Sequence, residues 1–141
     1  MSSIDVRAEL AALRSRLGGR AAGAWRLEGD RLVLIAFDPA PDLTPAVAQG
    51  FEAATRSVDL TLVDLGIVRA ATTGEAFVSV AAELPPETGS GHWLRAFGAA
   101  RSVAVPIEAP DGRIGAVVSV ALGPAPDEQA VSAMIRAVEW E

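Results

Sequence analysis

Residues 101–122, RSVAVPIEAPDGRIGAVVSVAL, decide the fold. They read as two strands joined by a tight turn. Residues 101–107 and 113–122 are rich in β-branched side chains, which suit a pleated, packed surface. Between them stands Pro110-Asp111-Gly112. Asp-Gly at a loop tip is a strong hairpin signal, because glycine accepts positive φ without a Cβ clash. Val103, Val105 and Ile107 alternate with Ser102, Ala104 and Pro106. In the second run Ile114, Ala116, Val118 and Val120 alternate with Gly115, Val117, Ser119 and Ala121. Neither face is charged, so the pair is expected in the interior of a sheet covered on both sides.

Outward from this hairpin, the N-terminal segment carries Val6, Leu10, Leu13 and Leu17 at i, i+4, i+7 and i+11, one stripe of an amphipathic helix. Ser3 is its expected cap, and Gly18-Gly19 ends it. The same spacing fits a short heptad seam, so the stripe can pack on its own sheet or on a second subunit. Residues 24–27 and 31–37 form a second expected hairpin across Gly29-Asp30. Simple alternation places Val33, Ile35 and Phe37 on one face and Leu32, Leu34 and Ala36 on the other. Thr44-Pro45 opens a helix whose stripe is Leu43, Val47, Phe51 and Ala54. A further helix is expected over about 64–73, closed by Gly74, and a short strand over 76–80. Residues 81–91 read as a loop and HWLRAF, 92–97, as a short helix. Asp127 caps a last helix with the stripe Val131, Met134, Ile135 and Val138.

A chain of 141 residues, half of them hydrophobic, is expected to form one domain spanning 1–141 with its own core. The absence of cysteine excludes disulfides, thiolate metal sites and cysteine nucleophiles. A net charge of −6 without a basic run argues against duplex nucleic acid as a partner. No apolar run is long enough to span a bilayer, and the first residues lack the apolar core of a secretory signal. A cytoplasmic protein without membrane attachment is expected.

Three stretches carry a family resemblance. The order Arg-Ser, apolar run, Val-Pro-Ile, Asp-Gly, Ile-Gly, apolar strand in 101–122 resembles the end of a GAF domain. GIVRAATTGEAFVSV, 66–80, is similar to the GAF pattern of a helix closed by Thr-Gly-Glu and followed by a short strand. The loop and helix of 81–97 resemble the lid that precedes the Arg-Ser strand in that family. The resemblance implies an α+β fold related to PAS domains. Its central antiparallel sheet has helices on both faces, and the N- and C-terminal helices pack together. PAS-like and roadblock-like domains share this order of elements. The resemblance also implies a small-molecule pocket on one face and, in many members, pairing of the terminal helices with those of a second copy.

Little in the sequence points to catalysis, and a protein that is not an enzyme is expected. His92 is the single histidine, so no metal cluster is expected. Gly89-Ser90-Gly91 lacks the spacing and context of a nucleophile elbow, and no phosphate-cradling motif occurs. Some GAF domains hold haem through one histidine, but an ordinary lid-helix histidine is the preferred reading of His92, and no cofactor is expected. Bilin-carrying members and free methionine sulfoxide reductases rely on cysteines absent here. The Asn-Lys-x(n)-Phe-x(3)-Asp-x(2)-Glu signature of cyclic-nucleotide-binding members is also excluded, since the chain has no Asn and no Lys.

Trp25, Phe37, Phe77, Trp93 and Phe97 lie on the strands and lid that would surround a GAF pocket. His92, Arg95, Arg101 and Ser102 would add polar groups, and arginine favours a carboxylate or other oxyanion. These nine residues are the candidate ligand site. One reading is a sensory domain that binds a small, anionic molecule and signals through its terminal helices to a partner protein, as a homodimer. The competing reading is a ligand-free scaffold that acts by dimerisation or protein docking.

Overall fold

A computed structural model describes residues 3–140 apart from Thr88, with the side chains of Ser3 and Ile4 also outside the description. Six strands form one antiparallel sheet in the order β3-β2-β1-β6-β5-β4. In chain order the strands are β1 (Ala21–Glu28), β2 (Arg31–Pro39), β3 (Ser57–Asp59), β4 (Phe77–Val80), β5 (Arg101–Glu108) and β6 (Ile114–Leu122). The helices are α1 (Ser3–Leu17), α2 (Pro45–Thr55), α3 (Gly66–Thr73), α4 (Gly89–Phe97) and α5 (Glu128–Arg136). The 101–122 stretch is the β5–β6 hairpin, and its turn is made at Gly112 with φ +84°, where a side chain would be strained. β6 pairs with β1 at the centre of the sheet, which explains why neither of its faces is charged.

On one face the core joins Val6, Leu10, Leu13 and Leu17 of α1 to Val131 and Ile135 of α5, over Ala22, Ala24, Val103, Val105, Val118, Val120 and Leu122. The terminal helices therefore pack together on the sheet. Their apolar stripes are consumed there, since Val6, Leu10, Leu13, Val131 and Ile135 are all fully buried. The outward side of α1 shows Asp5, Arg7, Glu9 and Arg16. The α1 cap expected at Ser3 lies outside the described side chains. On the other face α2, α3 and α4 cover Trp25, Leu32, Phe37, Ala104, Val117 and Ala121.

Caps follow the sequence. Thr44 accepts from the Val47 N–H at 3.4 Å with Pro45 opening α2, and Asp127 accepts from the Ala130 N–H at 2.8 Å to open α5. Ala54 faces solvent, and Ala48 and Thr55 are the buried residues of α2.

Strand parity in β2 departs from simple alternation. Ala24 pairs with Ala36 but Trp25 with Leu34, so Ile35 is an extra residue, a β-bulge. Ile35 and Ala36 both join the α1 side, and Phe37 is turned to the face of Leu32 and Leu34. β3, a three-residue edge strand around the buried Val58, gave no pattern in the sequence. α4 begins three residues before His92. Gly-Ser-Gly has loop propensity, but the Ser90 N–H bonds Asp64 O at 3.1 Å and the Ser90 hydroxyl accepts the Gly66 N–H at 3.0 Å. These tertiary bonds override local preference. No helix among the described residues is long and apolar enough to cross a membrane.

Candidate functional site

The floor of the site is the helix-covered face of the strands. Ala21, Gly23, Ser102, Ser119 and Ala121 line it, all small, and they leave space that Leu or Val would fill. At Gly23 the missing side chain is required: a Cβ there would lie 2.5 Å from Trp25 Cη2, because the Trp25 ring lies across the glycine. The roof is Phe51 and Thr55 of α2, Gly66 and Ile67 of α3, and Ser90, Trp93, Leu94 and Phe97 of α4. Between floor and roof is a cavity of about 50 Å³.

Phe51 organises the aromatic wall. Its ring centroid is 5.0 Å from Phe37, 5.1 Å from Phe97, 5.2 Å from Trp93 and 6.0 Å from Trp25. Three of these contacts are edge-to-face, the arrangement the ring quadrupole favours. Trp25 is fully buried, and its indole N–H donates to Thr55 O at 3.0 Å. The Thr55 hydroxyl donates back to Phe51 O at 2.9 Å.

Of the nine candidate residues, Trp25, Phe37, Trp93, Phe97 and Ser102 line this cavity. The other four lie off it. Phe77 packs beside α3 with the Arg69 guanidinium 5.9 Å from its ring centre. His92 is exposed on the outside of α4, 4.7 Å from the Trp93 ring. Arg95 turns back on its own helix and the loop before it, donating to Gly91 O and Leu84 O. Arg101 is adjacent to Ser102 in β5 and so points to the opposite face, where it donates to Gly123 O at 2.8 Å and to Pro126 O. Phe51, Ser90 and Ser119 are lining residues that the sequence reading did not select. A signal existed for Ser119, which alternates with Val118 and Val120 and so shares the face of Ala121.

The lid helix is fastened at its C-terminal end by Arg20, whose Nε donates to Phe97 O at 2.9 Å and whose Nη1 donates to Asp42 at 2.8 Å. The hydrogen bond from Arg20 holds the Asp42 carboxyl below the usual carboxylate range.

The order and pairing of six strands, with helices divided between the two faces, match solved structures across nearly the whole chain. The GAF domain/HD domain protein from Geobacter sulfurreducens superposes with a TM-score of 0.68 over 96% of this chain and 84% of that one, at 12% identity. The fold is that of a GAF domain. The phycoerythrobilin-bound GAF domain from a cyanobacterial phytochrome matches at a TM-score of 0.63, covering 94% of this chain and 80% of that one, at 15% identity. A type II free methionine-R-sulfoxide reductase from Thermoplasma acidophilum matches at 0.66, covering 94% and 85%, at 14% identity. No family model matches the chain, and no curated protein matches it in sequence. The reductase corrects the expectation of a protein that is not an enzyme. A GAF-like fold carries catalysis in that neighbour, so the fold does not separate enzyme from sensor.

Proposed function

We propose that this GAF-like chain is a regulatory domain that takes a small molecule into the cavity between the sheet and α2–α4. Occupancy would act on the terminal helices α1 and α5 through the shared strands β1, β5 and β6, and from there on a partner protein. One observation carries the reading: five aromatic rings enclose a floor of glycine, alanine and serine, a combination that suits a ligand site. The phytochrome neighbour, a GAF domain bound to phycoerythrobilin, adds support by analogy of fold.

The cavity volume favours a second reading. About 50 Å³ is far below the roughly 300–1,000 Å³ of ordinary ligand sites, so resident side chains already fill most of the space. A scaffold that works by docking a partner needs no cavity. Pairing of two copies through α1 and α5 would use their outward faces, because the inner stripes are buried.

Native and denatured intact masses of the purified protein separate these readings. Extra mass in the native spectrum alone is the result expected of a ligand-binding domain. A bare native mass, with no response of the Trp25 and Trp93 indole signals to a small-molecule screen, would overturn it in favour of the scaffold.

A further inference from the structure

We infer that the cavity is built for an uncharged ligand with one hydrogen-bonding group, and that Trp93 is the wall it displaces on entry. The inference rests on the reading above that this cavity is the binding site.

No ionisable side chain among the described residues lines the cavity. The arginines next in sequence to its walls lie off its lining: Arg20 bonds Phe97 O and Asp42, Arg26 bonds Glu28, Arg95 bonds Leu84 O and Gly91 O, Arg101 bonds Gly123 O and Pro126 O, and Arg56 is exposed. A carboxylate or ammonium enclosed here would lose its water without gaining a counter-ion, which disfavours the charged form strongly. Polar capacity remains, however. The Trp25 indole N–H and the Thr55 hydroxyl are already bonded to Thr55 O and Phe51 O. Ser90 accepts from Gly66 N and, among the described residues, has no acceptor for its own proton. Ser102 and Ser119 add hydroxyls that either donate or accept. Such a set fits an alcohol, amide or ketone oxygen at the serine end, with an apolar or aromatic body against the rings.

The volume requires a wall to move. Trp25 is fully buried, hydrogen-bonded and laid across Gly23. Trp93 is only half-buried and lies over Gly50 of α2, whose missing side chain leaves 3.6 Å from a built Cβ to the ring. Its outward rotation opens the seam between α2 and α4 without breaking the sheet.

The test uses four matched probes, benzyl alcohol and benzamide against benzoate and benzylamine, followed by the indole N–H signals in two-dimensional NMR. Trp140, buried on the opposite face with its indole N–H on Ile135 O at 2.9 Å, is the internal control. The uncharged pair is expected to shift Trp25 and Trp93 but not Trp140, and to bind at least about tenfold tighter than the charged pair. Trp93→Ala, or Trp93→Leu should the first variant misfold, is expected to tighten uncharged binding by enlarging an apolar cavity. Ser102→Ala is expected to weaken benzyl alcohol. Benzoate or benzylamine binding equally well or better would overturn the ligand class and leave the binding reading standing. Tighter binding of no probe in either Trp93 variant would overturn the gate. If no probe moves Trp25 in the native protein or in the Trp93 variants, the binding reading fails and the inference with it.

Discussion

Gly23 is the residue at which the site is most narrowly specified. A methyl group there would stand 2.5 Å from the Trp25 ring. Retreat of the ring is restricted, because it is fully buried and tied to Thr55 O. Gly23→Ala is therefore expected to destabilise the protein by about 1–3 kcal/mol, the usual range for overpacking. Denaturant unfolding measures the loss, and a change in near-ultraviolet dichroism reports the displaced indole; an unchanged midpoint would contradict the geometry. Asp42 gives a second residue-scale expectation. Its carboxyl is held below the usual range by the Arg20 hydrogen bond, so the folded state binds its proton less readily than the unfolded state. The contribution is present at neutral pH and is lost as pH falls below the usual carboxylate range, through the folded value. In Arg20→Ala the Asp42 titration followed by NMR is expected to move up toward the usual range. A midpoint that stays where it was would show that Arg20 is not the cause.

At the scale of the element, α1 separates propensity from packing. Leu13 is fully buried against the sheet, and its neighbour Ala12 is exposed. Leu13→Ala is expected to cost about 2–5 kcal/mol and Ala12→Ser within about 0.5 kcal/mol, read from denaturant midpoints at equal slope. A small loss at Leu13 would mean that the stripe is held some other way. Helices such as α1 were legible because period 3.6 and a terminating glycine agree in one segment. The β5–β6 hairpin was legible because Asp111-Gly112 fixes its turn. The bulge at Ile35 was not legible, because nothing in RLVLIAFDP distinguishes an extra residue from strict alternation. That single slip decides whether Phe37 faces the cavity or α1. Four of the five aromatic candidates, placed by the resemblance to a GAF pocket, line the cavity; Phe77 lies off it. The cationic half failed because adjacent strand residues cannot share a face: if Ser102 lines the cavity, Arg101 does not. His92 and Arg95 depended on the orientation of a nine-residue helix, which is tied through Ser90 to Asp64 and Gly66, 24 and more residues earlier in the chain.

At the scale of the whole molecule, one sheet serves two cores. Along β1 successive residues belong to different sides, Ala22 and Ala24 under α1, Gly23 and Trp25 under α2 and α4. Neither core can form without the strands that the other also needs. A loss on either side should therefore lower one common transition rather than create a separate unfolding step. Leu13 and Val68 are fully buried on opposite faces of the sheet, with no shared neighbours in the same core. Leu13→Ala and Val68→Ala are each expected to shift a single transition seen equally by far- and near-ultraviolet dichroism. The double variant should lose the sum of the two within about 0.5 kcal/mol, as independent sites do. Two resolved transitions would mean that the faces unfold separately, and the sheet would then be a poor carrier of any change from the cavity to the terminal helices. A coupling energy well above that limit would mean that the two sites strain one another through the sheet, and their independence would be overturned.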